Sequence, residues 1–151
     1  MDHHSTPAVA LVAGRPIYAT LAQFPIVCFT LTLLTDLAYW QTSNLLWHNF
    51  SAWLLFAGLV FGGLALIVGA VEFLVRPAVR ALRPGWLYAL GSAVVLVLAF
   101  VNSLVHAGDG WTAIVPYGLI LSAVTVVVMI VTDRLDRGMV YRHGVVVADH
   151  D

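Results

Sequence analysis

Four long apolar runs, separated by short polar segments, dominate the pattern of residues along the chain. They cover about residues 24–40, 50–75, 86–106 and 111–132. A bilayer core about 30 Å thick requires roughly 20 mostly apolar residues in a helix, and each run is close to that length. Backbone groups in lipid must be hydrogen-bonded within their own segment, which favours helices over strands. The pattern predicts an all-α, polytopic membrane protein built as a four-transmembrane-helix bundle.

The composition supports this prediction. Apolar residues make up 61% of the 151 residues and charged residues only 10%, against roughly 45–50% and 25% in soluble domains. A soluble domain of this size could not hide so much apolar surface, because small domains bury the smallest fraction of their surface. We therefore expect the lipid bilayer to cover these side chains, in a multi-pass protein of the cell (inner) membrane.

The basic residues predict the orientation of the helices. The loops 41–49 and 107–110 contain no lysine or arginine. The chain has no lysine, and its seven arginines lie elsewhere, at Arg15, Arg76, Arg80, Arg83, Arg134, Arg137 and Arg142. Under the positive-inside rule both termini are cytoplasmic. This gives an N-terminal segment 1–15, a transmembrane domain 16–133 and a C-terminal tail 134–151. The net charge of −1 provides no basic surface for nucleic acid.

Small residues recur at helical spacing in the second run, at Gly58, Gly62, Ala65 and Gly69. Such residues let membrane helices approach closely and gain dispersion contacts. The stripe fits either a seam between helices of one chain or the face of a homodimer.

Ionisable residues inside predicted spans are costly in lipid and are therefore candidates for function. Asp36 lies in the first run with no cation in reach by sequence, so it is either structural or a proton or ligand site. Glu72 precedes Arg76 by four residues, the favourable order for a helix ion pair, which predicts a structural role.

Two histidines are candidate cofactor ligands. His48 begins the second span and His106 ends the third, so both are expected at the outer face. Histidines on neighbouring helices at similar depth can ligate haem or a metal ion, but both also fit as interfacial residues with a polar tip in water. We expect no cofactor, with haem b as the alternative. No nucleophile paired with a base and no metal-ligand spacing is visible, so no catalytic residue or metal site is predicted.

Local strings give a resemblance to a known family. In order, they are GRPIYATLAQFPI from Gly14, TDLAYW from Thr35, WLLFAGLVFGGLALIVGAVEF from Trp53, GWLYALGS from Gly85 and VYRHG from Val140. Together they resemble the small bacterial membrane proteins of domain-of-unknown-function family 2231, over roughly residues 14–147. The resemblance implies a four-helix membrane domain without an established activity. It also implies genes near redox proteins, and hence at most an accessory role.

The chain departs from the family pattern at the predicted inner face. Arg15, Tyr18 and Tyr88 stand where the family usually has histidines, which argues against an inner-face ligand site in this protein. Arg142 and His143 still fit the pattern.

The C-terminal segment carries a separate structural hypothesis. In it, the segment containing Arg142 and His143 folds back against the helix ends. Arg142 then pairs with Glu72 or Asp133.

Three functions follow from these observations. The first is a non-catalytic scaffold or accessory subunit, with a redox membrane or periplasmic protein as a possible partner. The second is a redox module that binds haem or quinone between helices, a geometry common in four-helix bundles. The third is a small-solute or proton pathway through Asp36.

Overall fold

The computed structural model describes the backbone of residues 11–12, 15–16, 20–75, 85–108 and 114–148, and the side chains of 20–75, 87–108 and 115–135. Four helices make up most of this part of the chain. They are α1 (Gln23–Thr42), α2 (Leu45–Val75), α3 (Gly85–His106) and α4 (Leu119–Ala148), and a short segment, Ile114–Gly118, with non-helical backbone at Val115, precedes α4. Strands β1 (Leu11–Val12) and β2 (Arg15–Pro16) form a small antiparallel pair before α1.

The helices pack as a four-membered ring in which α1 contacts α2, α2 contacts α3, α3 contacts α4 and α4 contacts α1. Successive helices run antiparallel, which is the up-and-down arrangement of four-helix bundles. The described part of the chain is therefore an all-helical bundle, as predicted, with the strand pair as a minor addition.

A two-residue turn fixes the antiparallel pairing of α1 and α2. Ser43 adopts the left-handed conformation with φ 51°, and its N–H donates to the Tyr39 carbonyl oxygen at 2.7 Å. The Asn44 side-chain oxygen accepts from the Leu46 N–H at 3.0 Å, which satisfies one of the free donors at the start of α2. The chain thus reverses within one helical turn.

The bundle has a partly polar interior and an apolar exterior. Among the described residues, buried polar side chains are nearly as numerous as buried apolar ones: Thr32, Asp36, Ser51, Asn102, His106, Ser122 and Thr125 against Pro25, Phe29, Tyr39, Leu55, Ala65, Val95, Ala99 and Met129. Large apolar residues are exposed on all four helices, for example Leu34, Trp53, Phe100 and Ile120. Exposing so much apolar surface to water would be unfavourable, whereas lipid covers apolar surface and leaves polar contacts to form between helices.

Within the part of the chain that the structure describes, three helices are both long and apolar enough to cross a membrane: Leu45–Val75, Leu87–His106 and Val115–Leu135. They correspond to the second, third and fourth predicted spans. The remaining helix, α1, has 20 residues and is long enough. Its threonines and Asp36, however, make it less apolar than the others.

The path of the C-terminal segment differs from the one predicted. The fold-back hypothesis for the segment that contains Arg142 and His143 is wrong, because α4 continues as one helix to Ala148. No proline interrupts this segment, and a helix of 30 residues is about 45 Å long, more than a bilayer core requires. The side chains of Arg142 and His143 lie outside the described residues, so their pairing stays a prediction.

Gly58 and Gly62 of α2 form a seam with other helices of the same chain. A Cβ atom at Gly58 would collide with the Phe29 ring of α1, and one at Gly62 would lie 2.5 Å from Leu96 Cδ2 of α3. Gly63, by contrast, has open space beside it. The seam within one bundle therefore explains Gly58 and Gly62 without a second copy of the chain.

We expect Gly58→Ala to lower the free energy of unfolding by roughly 1–3 kcal/mol, because the added methyl group displaces a buried ring. Gly63→Ala is the matched control and should be neutral or stabilising by up to about 1 kcal/mol through helix propensity. Reversible unfolding in lipid bicelles measures both. Equal stability of the two variants would contradict the close approach of α1 and α2.

Candidate functional site

A buried polar network lies at the end of the bundle where α1 ends and α2 begins. It consists of Asp36 (α1), Ser51 (α2), Asn102 and His106 (α3) and Ser122 (α4), and we call it the Asp36 network. All five residues are at most 3% exposed, and Asp36 is 0% exposed. Every helix of the bundle contributes to the network.

The Asp36 carboxylate accepts hydrogen bonds from two other helices. Ser51 Oγ donates to Oδ1 at 2.5 Å, and Ser122 Oγ donates to Oδ2 at 2.5 Å. From α3, His106 Nε2 lies 3.0 Å from Oδ1, across the diagonal of the bundle. Asp36 is thus the one network residue joined to each of the other helices, and His106 provides the partner that the sequence did not reveal.

The other ring nitrogen of His106 is also engaged. His106 Nδ1 lies 2.9 Å from the Asn102 carbonyl oxygen, one helical turn earlier in α3. The Asn102 side-chain Nδ2 donates to Ser122 Oγ at 2.8 Å. Asn102 Oδ1 is buried without a hydrogen-bond partner among the described residues. A buried acceptor of this kind usually has a donor such as an ordered water.

Thr35 extends the network toward the lipid-facing side of α1. Its Oγ1 lies 2.7 Å from Ser51 Oγ and 2.9 Å from the Thr32 carbonyl oxygen. Each hydroxyl has one proton, and with the Ser51 proton donated to Asp36, the Thr35 proton is divided between Ser51 Oγ and the Thr32 carbonyl oxygen. Threonine hydroxyls elsewhere in the interior bond to their own helix, as Thr32 does to the Cys28 carbonyl oxygen.

The structure brings the two predicted ligand histidines together. The rings of His48 and His106 are nearly parallel, with an angle of 15° and a centroid separation of 5.9 Å. His48 is partly exposed at the start of α2, and Tyr39 lies 6.2 Å from it. The pair therefore connects the buried network to the surface.

The donor set fits a metal or haem poorly in this arrangement. Both nitrogens of His106 already have protein partners, so ligation through Nε2 would break the contact with Asp36. Among the side chains that the structure describes, no group of three His, Cys, Asp or Glu residues is placed to hold a metal ion. The prediction of His48 and His106 as cofactor ligands stays untested, but it now requires the Asp36 network to open.

Sequence reasoning identified Asp36 and the two histidines but not the serines. Ser51 continues the stripe of small residues in α2, since the buried positions of that helix are Ser51, Leu55, Gly58, Gly62 and Ala65. Ser122 and Thr125 likewise share the buried face of α4 with Met129. Tracing these interior faces to their ends would have revealed both serines.

The opposite end of the bundle contains a cavity of about 620 Å³ between the four helices. Its walls are mainly apolar, and its polar lining includes Glu72, Tyr88 and Asp133. Glu72 is half-buried there. Arg76, its predicted partner, lies outside the described residues, so the Glu72–Arg76 ion pair stays a prediction.

Comparison with known proteins identifies a family and no individual relative. No curated protein and no solved structure matches the chain. The family model described as "Predicted membrane protein (DUF2231)" matches residues 14–149, nearly the whole chain. The bundle with apolar exposed helices agrees with that description. The chain therefore belongs to this family of predicted membrane proteins, whose function is unknown.

Proposed function

We propose that this protein spans the cell (inner) membrane four times, with both termini in the cytoplasm, and acts as a non-catalytic scaffold or accessory subunit. The observation that carries the proposal is the placement of Asp36, whose carboxylate joins α1 to the three other helices. Besides the bilayer, the proposed partners are a redox membrane or periplasmic protein, which the family resemblance implies, or a second copy of the chain.

The fourth span in this proposal is α1. Its 20 residues extend about 30 Å, the thickness of a bilayer core. Its polar residues Thr32 and Asp36 are buried, whereas Val27, Leu31 and Leu34 are exposed. The surface that α1 presents to lipid is thus mainly apolar, and the exposed Thr30 hydroxyl donates to the Ile26 carbonyl oxygen of its own helix.

The proposed orientation rests on the arginines. None of the seven lies in the sequence segments 41–49 and 107–110, which adjoin the network end of the helices, and Arg134 follows the cavity residue Asp133 in α4. The positive-inside rule then makes the cavity end cytoplasmic and places the network near the outer face.

Reporter fusions test the number of spans and the orientation. We expect a reporter enzyme that is active only outside the cytoplasm to be active after Ser43 and after Gly108, and inactive at the C-terminus. A fluorescent protein that matures only in the cytoplasm should be bright at both termini. If α1 does not cross the membrane, the N-terminal fluorescent fusion will be dark while the C-terminal fusion stays bright, and the four-span proposal will be wrong.

A redox module is the second candidate, and the contact between His48 and His106 favours it. Two imidazoles from neighbouring helices lie at similar depth near one end of the bundle. Against it stands the engagement of both His106 nitrogens within the network. A haem ligated through His106 Nε2 would leave the buried Asp36 carboxylate without its histidine, which is energetically costly.

An optical spectrum separates these two candidates. We expect the protein, expressed with ample haem and purified in detergent, to be colourless under oxidising and reducing conditions, because both ring nitrogens of His106 already have protein partners. His48→Ala, which removes one imidazole without removing a hydrogen bond to Asp36, should leave the spectrum unchanged. A stoichiometric haem band in the wild type that is lost in His48→Ala would replace the scaffold proposal with the redox module.

A further inference from the structure

We propose that the Asp36 network is a proton-binding site in which Asp36 and His106 share one exchangeable proton, and that this proton reaches them from the aqueous surface through His48. The inference uses the same contacts as the proposed structural role but adds an activity that a structural role does not require. Its ligand is a proton from the aqueous phase at the network end of the bundle.

The hydrogen bonds determine where protons lie on His106. The Asn102 carbonyl oxygen can only accept, so His106 Nδ1, 2.9 Å away, carries a hydrogen. The nitrogen that faces Asp36 is Nε2, 3.0 Å from Oδ1. A bond at that position requires one further proton, either on Nε2 of an imidazolium or on Oδ1 of a carboxylic acid.

Both placements of that proton leave the Asp36–His106 pair with no net charge. In one the pair is an aspartate and an imidazolium, and in the other it is an aspartic acid and a neutral imidazole. Loss of the proton would leave one uncompensated negative charge at a position that is 0% exposed, and would set two lone pairs against each other across 3.0 Å. Because an unpaired buried charge is strongly unfavourable, the pair retains one proton.

The surrounding hydroxyls accommodate both forms without rearrangement. Ser51 and Ser122 donate to the two carboxyl oxygens, and a carboxylic acid retains enough lone pairs to accept both bonds. The proton can therefore move between Oδ1 and Nε2 while the heavy atoms stay in place. Transfer of the proton within the pair therefore requires no rearrangement of the surrounding side chains.

His48 is the route to water. It stacks on His106 and is partly exposed, whereas His106 is 3% exposed. Among the described residues, His48 on α2 is a titratable side chain beside the pair, and Tyr39 on α1 lies beside His48. From α4 the pair meets Ser122, which does not titrate.

The test is nuclear magnetic resonance of the full-length protein in lipid nanodiscs, with nitrogen-15 in its histidines. In the wild type we expect a proton on His106 Nδ1 and a second, strongly downfield proton shared between Nε2 and Asp36. Asp36→Asn should abolish the shared proton. His48→Phe keeps the stacked ring but removes its titratable nitrogens. It should slow exchange of the shared proton with deuterium by roughly a hundredfold, the lower end of what a positioned proton-transfer group contributes.

Trp47→Phe is the matched control, since Trp47 packs on Phe50, and its exchange rate should equal that of the wild type. Absence of the shared proton in the wild type would overturn the proton site. Wild-type exchange in His48→Phe would overturn the route through His48. Either failure would leave the proposed structural role intact, because Ser51 and Ser122 join Asp36 to α2 and α4 whether or not a proton is shared with His106. If Asp36→Asn does not fold, the wild-type and His48→Phe spectra still decide the proposal.

Discussion

The Asp36 carboxylate lies inside the bundle, and the arrangement of all four helices depends on the groups that surround it. A buried carboxylate without partners would be strongly destabilising, but here Ser51, Ser122 and His106 each supply a contact from a different helix. These contacts are possible only at one depth and one rotation of each helix. A single costly residue therefore specifies the register of the whole bundle, a role for which buried polar groups are well suited.

The rest of the packing is compatible with that constraint. Close contact between α1 and α2 is needed for Ser51 to reach Asp36, and Gly58 allows it by leaving room for the Phe29 ring. The polar residues that α1 turns inward also explain why this helix is less apolar than the three clear spans. Asp36, one of the residues that lower the hydropathy of α1, is thus also the residue that binds α1 to the other helices.

Much of the helical bundle could be predicted from the sequence, because long apolar runs report directly on lipid contact. The small-residue stripe at Gly58 and Gly62 also indicated a close helix seam. The site was harder to predict: Asp36 and His106 are 70 residues apart in sequence, and only the bundle geometry places them across its diagonal. The continuation of α4 to Ala148 was missed because hydropathy shows where a span ends but not where its helix ends.

The most direct test of the account is a double-mutant cycle on the free energy of unfolding in lipid bicelles, with Asp36→Asn, His106→Gln and the double variant. A direct contact between these buried side chains predicts a coupling energy of roughly 1–3 kcal/mol. Thr30→Val combined with His106→Gln is the control, because the exposed Thr30 hydroxyl bonds to the Ile26 carbonyl oxygen of its own helix, and this pair should be additive within about 0.5 kcal/mol. Additivity of the Asp36 and His106 substitutions as well would contradict the claim that this pair holds the bundle together.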